Sequence, residues 1–418
     1  MSAWDDSRIV KRPDDMWLQG HSVSPLRGDG VKSLQSSRDE WLSGFDIRAG
    51  ILPLTSYYPY AWGWGRWGQL GIGTYYPEYL WTTPRLVFGE HNFSMFALGY
   101  DHSLGLEGTV GYSFGRGYHG ELGRSEGYHA IPGVIEGDHE FVSLGAGENC
   151  SYGIDSDNAG WSCGYNESGR LGIGSDTDQP AMTLIDGGLS FSKIDAYRHA
   201  VSFTTDGVAY AWGSNWYGQI GNGKSGYCEE EWSPVSIGLS NVINCYAGCA
   251  YMSYYMVSDG TIYGCGRNAA GEMGNGTKTM VTTPQVVAGG KKFAAFATGG
   301  SQAGGSHCVG IDTDGDLWAW GYNAFGQLGD NTTTERLSPI NPTSQESFAQ
   351  VVASAYLSFA VTSAGKIYAC GRNYGFLLVG DDVDRDEFTV STNTQAWKML
   401  YAGWLHLIGI ATKPYRFR

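Results

Sequence analysis

Long apolar runs are missing from this chain of 418 residues. None approaches the roughly 18 to 20 apolar residues that a membrane-crossing helix requires, and Met1–Asp15 is charged where a secretion signal would be apolar. The expectation is a soluble protein without membrane insertion. Positive charge is also scarce: 27 Lys plus Arg stand against 42 Asp plus Glu, a formal −15. Affinity for nucleic-acid phosphates comes from clustered Lys and Arg, so no nucleic-acid partner is expected. What is plentiful is glycine, 63 residues or about one in seven. It keeps no three-residue step, which excludes collagen, and 42% hydrophobic content with 15 Trp can fill a sizeable core.

The glycines recur in register. A nine-residue element, G-x-x-x-x-G-x-L/I/M-G, begins at Gly63, Gly115, Gly164, Gly213, Gly266 and Gly321, with a degenerate copy at Gly371. Asn holds the third position in five copies (Asn166, Asn215, Asn268, Asn323, Asn373), and the spacings of 52, 49, 49, 53, 55 and 50 average about 51 residues, a blade-sized period. Before each glycine stand bulky residues at i and i+2, as in Tyr210-Ala211-Trp212-Gly213 and Trp318-Ala319-Trp320-Gly321, which share one face of a strand. Before that strand lies a turn pair, such as Asp206-Gly207, Asp259-Gly260, Asp314-Gly315 or Ala364-Gly365, able to supply the positive φ of a tight hairpin. Each pair follows another β-like run: Ser143 to Ile154, Ala200 to Thr205, Tyr251 to Val257 and Ser358 to Thr362. The unit is antiparallel and all-β.

Seven elements begin at Gly63, yet the leading strands before Gly63 are absent, while an unpaired leading segment, Met399 to Ile410, closes the chain. The two ends complement each other into one blade, the ring closure by which propellers manage open sheet edges. The expected architecture is an all-β, seven-bladed β-propeller over 58–412, closed by pairing of its N- and C-terminal strands. An irregular N-terminal arm covers 1–57, and a short tail covers 413–418. The arm carries Trp4, Trp17 and Trp41 among eight acidic and seven basic residues.

These repeats resemble the regulator of chromosome condensation family, most clearly at Tyr210–Gly221 and Trp318–Gly329. The resemblance implies a seven-bladed propeller, a fold that hosts exchange factors, a light receptor, enzyme inhibitors and docking platforms. An exchange factor of this type needs an insertion on one face and a basic surface, whereas the longest spacing here is 55 and residues 58–418 carry 20 basic against 34 acidic groups. The light receptor repeats Gly-Trp-Arg-His-Thr; here only Gly403-Trp404-Leu405-His406-Leu407 approaches it. An inhibitor of this shape binds through loop aromatics, which Trp64, Trp67, Tyr75, Tyr76, Tyr79, Trp81, Tyr217, Tyr227 and Trp232 supply.

The residue types that could carry chemistry read as structural. Cys163, Cys265 and Cys370 occupy the position of Trp62, Trp212 and Trp320 in other blades and read as apolar strand residues. Asp312–Asp316 imitates the start of a calcium loop but coincides with a hairpin turn, and Asp381–Glu387 is an acidic run. His102, His199, His307 and His406 recur at blade period, which favours hydrogen bonding over catalysis. Neither a nucleophile elbow nor a phosphate-binding loop is expected, and no cofactor or metal. The expected function is a non-enzymatic binding protein, a bacteriophage virion component of tail, neck or capsid surface. It would be joined to other subunits through 1–57 and would touch a host protein or glycan through Trp64, Trp67, Tyr75, Tyr76, Trp81, Tyr217, Tyr227 and Trp232. The grounds are the lack of export and catalytic signals, the acidic surface and a Gly-, Tyr- and Trp-rich, Lys-poor composition. The alternatives are a cytoplasmic regulatory propeller that binds a GTPase or inhibits a partner, and a carbohydrate-binding adhesin.

Overall fold

In a computed structural model the described residues are 58–74, 80–249, 251–301, 305–342, 346–373, 381–393 and 395–411. The arm with Trp4, Trp17 and Trp41, the loop residues Tyr75, Tyr76 and Tyr79, and the tail lie outside them. The described residues form seven four-stranded antiparallel sheets. Six blades follow in chain order over 95–134, 141–184, 191–236, 242–286, 293–340 and 348–390. The seventh is composite: Trp397–Ala402 pairs with His406–Ala411, which pairs with Tyr58–Trp64, which pairs with Leu80–Leu86. Trp62 lies opposite Leu407 and Gly63 opposite His406. The first strand of every blade touches the first strand of the next, from blade 7 round to blade 1, so the ring is closed as expected. None of the described helices is long and apolar enough to cross a membrane.

One sequence expectation needs correction. The run Ser143 to Ile154 is two strands, Phe141–Ala146 and Cys150–Asp155, separated by a turn at Gly147-Glu148-Asn149. Among the described residues the same turn recurs at 99–101, 197–198, 354–356 and 403–405, and it is hard to see because the flanking strands are buried and apolar. The second turn matches expectation, with positive φ at Gly108, Asn158, Gly207, Gly260, Gly315 and Gly365.

The repeat glycines and asparagines have separate duties. Gly63, Gly115, Gly164, Gly213, Gly266, Gly321 and Gly371 all hold φ between +96° and +113°. A Cβ at Gly63 would lie 2.6 Å from the Leu405 carbonyl oxygen, and one at Gly164 2.5 Å from that of Asn149. Only glycine supplies that φ with a backbone so close. The asparagine two residues later clasps the connection to the fourth strand. Asn323 Oδ1 accepts the Leu328 N–H at 2.9 Å, and its Nδ2 donates to the carbonyls of Thr332 and Thr334 at 3.0 Å each. Asn166 and Asn268 do the same.

The core lies between blades, and two kinds of joint occur there. In the first, a histidine opening a second strand bonds a serine of the next blade: His102 to Ser151, His199 to Ser253 and His406 to Ser103, each at 2.9 Å. Those serines in turn donate to the carbonyls of Glu121, Gln219 and Gln69. In the second, a tyrosine and the next blade's tryptophan share one carbonyl. Tyr152 and Trp212 meet Arg170 O at 2.5 and 2.8 Å, and Tyr254 and Trp320 meet Glu272 O at 3.0 and 2.8 Å. At the first kind of joint Cys163 and Cys265 stand where other blades have tryptophan, and Phe114 stands there at the third; Cys163, Cys265 and Cys370 are buried thiols. Burial pushes the imidazoles of His102, His199 and His307 down to about 4 and that of His406 to about 3. The histidines are therefore neutral packing elements.

At the rim, six fourth strands carry proline: Pro84, Pro132, Pro180, Pro234, Pro284 and Pro339. A proline there withholds a ladder donor from a neighbouring chain.

Candidate interaction face

Antiparallel order places the first-to-second turns and the third-to-fourth connections at one end of the propeller. We call it the turn face, and the end carrying the second-to-third hairpins the hairpin face. The two differ in chemistry. Arg66, Arg116, Arg124, Arg170, Arg198, Arg267 and Arg372 all belong to the turn face. The hairpin face has no arginine among its described residues, and carboxylates such as Asp157, Asp206, Asp259 and Asp314 predominate on it.

A continuous network crosses blades 2 to 4 on the turn face. Arg198 grips Glu148 with two hydrogen bonds, Nε to Oε2 at 2.6 Å and Nη2 to Oε1 at 3.0 Å, and its Nη1 reaches Tyr251 Oη at 3.3 Å. Buried Arg170 shares the same carboxylate at 3.5 Å and lies over the Tyr165 ring. Burial alone would lower the pKa of Arg198, but hydrogen bonding to Glu148 and its charge hold it above the ordinary value. Tyr251 stacks on Trp216 at 6.4 Å and meets Tyr217 at 5.1 Å; Trp216 meets Tyr227 at 6.1 Å; and Arg267 sits over Tyr217. Trp216, Tyr217 and Tyr227 are 44%, 37% and 81% exposed. A patch of this size in large aromatics, braced by arginine, has the composition of a protein-interface anchor.

Two smaller clusters share the face. In blades 5 and 6, Phe325 packs edge-on against Tyr356 at 4.9 Å with Arg372 over its ring at 4.6 Å. At the junction of blades 7 and 1, Trp404 stacks on Tyr100 at 4.1 Å. Burial, with the charges of Asp101 and Glu148, raises the Tyr100 phenol to about 12. Burial also lifts the Asp101 carboxyl to about 6, against the pull of Arg116 4.0 Å away.

The residues singled out from sequence scatter. Tyr217 and Tyr227 meet in the patch. Trp67 lies across the ring, stacked on Tyr128 at 4.8 Å under Arg66. Trp64 is half-buried at the end of its strand, with its backbone N–H donating to Leu405 O. Trp81 turns toward the core beneath Arg85, and Trp232 packs on the backbone of Gly169 in the preceding blade. Trp216, Tyr251, Arg198, Glu148 and Arg267 were missed. Their only sequence signal is position, either beside the repeat glycine or in the turn before each second strand.

Three motif readings are settled by context. Gly111–Gly115 and Gly160–Gly164 both match G-x-S-x-G, contrary to expectation, but both belong to third strands. Ser113 and Ser162 are buried there and donate to Leu122 O and Leu171 O, so neither is an exposed nucleophile at a strand-to-helix turn. Gly218–Ser225 likewise spells the P-loop string, again contrary to expectation. It opens no helix; Asn215 holds the Lys224 carbonyl, and Lys224 pairs with Glu229 and Glu231 at 3.6 and 3.7 Å, so the strand-to-helix context a P-loop needs is missing. Asp312 uses both oxygens in its turn, accepting the N–H groups of Asp314 and Asp316 and the Trp318 indole.

Comparison with known proteins agrees with the fold. The regulator of chromosome condensation repeat model matches residues 60–106, 206–252, 259–311 and 314–361. The chain is 29% identical over 296 residues to the ultraviolet-B receptor UVR8 of Arabidopsis thaliana, covering 67% of this chain and 64% of the receptor. It is 32% identical over 289 residues to the E3 ubiquitin-protein ligase HERC2 of Mus musculus, covering 66% of this chain but 6% of the ligase. It is 26% identical over 351 residues to the human regulator of chromosome condensation, covering 77% and 82%. The chain thus spans less than two thirds of the first two relatives. Among solved structures, Prp20p of Saccharomyces cerevisiae, described for its binding to Gsp1p and histones, superposes with a TM-score of 0.75 at 19% identity over 87% of this chain and 93% of its own. Human WBSCR16 superposes at 0.74 with 18% identity over 86% and 100%. The chain carries regulator of chromosome condensation repeats and folds as a seven-bladed β-propeller.

Proposed function

We propose that this protein is a non-enzymatic regulatory propeller of the cytoplasm that binds a soluble protein partner through its turn face. The observation that carries the reading is the exposed Trp216–Tyr217–Tyr227 patch joined to Arg198 and Arg267. Support also comes from the relatives: the named ones are cellular proteins, and Prp20p binds Gsp1p and histones. They favour this reading over a bacteriophage virion component, and nothing in them speaks for a host glycan. The arginines that brace the rings suit protein carboxylates better than neutral sugar.

A photo-crosslinking residue placed at Tyr227, compared with one at Asp259 on the hairpin face, tests it. Protein adducts are expected at the first position and not at the second; equal yields at both would overturn the choice of face. Nucleotide-release assays with small GTPases distinguish exchange from simple docking, and detection of the chain in purified virus particles would restore the virion reading.

A further inference from the structure

The arginines of the turn face are arranged as a ring. Arg116, Arg267 and Arg372 each directly follow the repeat glycine of blades 1, 4 and 6, so the pseudo-symmetry of the propeller places them at equivalent points around its axis. Arg198 stands in the first-to-second turn of blade 3, next to the innermost strand, and Arg66 in the third-to-fourth connection of blade 7. Aromatic rings lie under or beside them: Trp67 under Arg66 at 4.5 Å, Tyr217 under Arg267 at 6.0 Å, and Phe325 under Arg372.

The carboxylates that face this ring are few and already engaged. Glu148 is shared by Arg198 and Arg170, exposed Glu167 pairs with Arg170 at 3.4 Å, and Asp101 lies 4.0 Å from Arg116. Glu121 is buried beneath the ring and held by the His119 N–H, while Glu272 is held by that of Ala270. Arg66 and Arg267 have no carboxylate within ion-pair distance among the described residues. The outer rim differs: Lys224 is outnumbered there by Glu229, Glu230 and Glu231. Arginine is therefore in excess around the axis in a chain whose net charge is −15. A guanidinium placed over an aromatic ring can still donate its N–H groups to a carboxylate, as Arg66 and Arg267 are placed to do.

We propose that the partner presents an acidic, partly apolar peptide segment to the centre of the turn face, its carboxylates meeting Arg66 and Arg267 and its apolar side chains meeting the Trp216–Tyr227 rings. The proposal rests on the turn face being the binding face and adds the chemistry of the occupant.

Fluorescence anisotropy tests it on the full chain with three labelled probes: a peptide of about twelve alternating Glu and Leu residues, its Lys counterpart, and a single-stranded oligodeoxynucleotide. The Glu peptide is expected to bind and to weaken as salt rises. Its affinity should fall at least about tenfold with Arg66→Glu plus Arg267→Glu, and again with Trp216→Ala, while Asp259→Lys on the hairpin face leaves it unchanged. Both arginines lie on connections outside the core, and unchanged thermal unfolding of the double variant checks that it is folded. Binding of the Lys peptide, equal binding of the oligonucleotide, or no effect of the double substitution would overturn the proposal. If the Glu peptide fails while Tyr227 still crosslinks to protein, the acidic occupant is wrong and the binding face stands; if both fail, the face is wrong as well.

Discussion

Trp62 and Trp397, from opposite ends of the propeller sequence, lie with their ring centroids 5.4 Å apart, and Tyr60 meets Trp397 edge-on at 6.1 Å. The three share one buried cluster with Leu357, Phe359 and Leu407, so the joint that closes the ring is also a piece of core. Trp397→Ala should cost about 3–5 kcal/mol, as for other large aromatics removed from a close-packed interior. Urea denaturation followed by tryptophan fluorescence measures it. A loss under about 1 kcal/mol would mean that the closure carries little of the stability.

The four buried histidines predict weakening in acid. Their folded pKa values, about 4 for His102, His199 and His307 and about 3 for His406, lie below the ordinary 6.5 because burial penalises the imidazolium. Below pH 6.5 the unfolded chain binds protons that the folded chain refuses, so stability is fully present above that pH and falls as pH drops toward 4, by on the order of 3 kcal/mol per histidine. Urea midpoints at pH 7, 5.5 and 4.5 should decline steadily, and His199→Gln should flatten part of that decline. A flat profile would contradict it.

Glu121 acts in the opposite direction. Its Oε2 accepts the His119 N–H at 2.7 Å, its Oε1 meets no donor, and burial pushes the carboxyl up to about 7. The folded protein then holds a proton that the unfolded chain releases, so stability is lost as pH rises from about 4.5 to about 7. Gln69, Gln219 and Gln327 occupy the equivalent place in other blades, with Oε1 accepting the same turn N–H. Glu121→Gln should raise stability at pH 8 by up to about 3 kcal/mol and make little difference at pH 4.5. Calorimetric unfolding at the two pH values checks this, and a variant less stable at pH 8 would refute it.

The carbonyl of Glu272 takes hydrogen bonds from Tyr254 at 3.0 Å and Trp320 at 2.8 Å, with only the Cys308 thiol, at 3.6 Å, as a further donor. Tyr254→Phe should cost about 1 kcal/mol, since the Trp320 indole remains as donor, and Trp320→Phe should cost more because it also leaves a cavity in the core. Together they leave the buried oxygen to the thiol, so the double variant should lose about 1 kcal/mol more than the sum. Strict additivity in a double-mutant cycle would show that the two donors act independently.

Much of the fold was legible because a propeller writes its geometry along one dimension. The spacing from Gly63 to Gly371 counted the blades, the turn pairs at Asp206-Gly207 and Asp314-Gly315 located the hairpins, and the missing leading strands before Gly63 announced the closure with Met399–Ile410. The turn at Gly147–Asn149 escaped notice because two buried strands join there without a break in apolar character. Two motif strings escaped the sequence reading: Gly218–Ser225 and Gly160–Gly164 spell known sites, and only the surrounding strands and turns show what they do.

What the sequence determined by itself was the blade, its number and its closure, because the φ of a glycine, the pairing of a strand and the period of a repeat are local properties summed along the chain. The turn face was decided by the tertiary structure alone. Glu148, Arg198, Tyr251 and Arg267 come from three successive blades. Their neighbours in space are set by how far each sheet is rotated about the common axis, a quantity that no stretch of sequence shorter than the whole ring encodes.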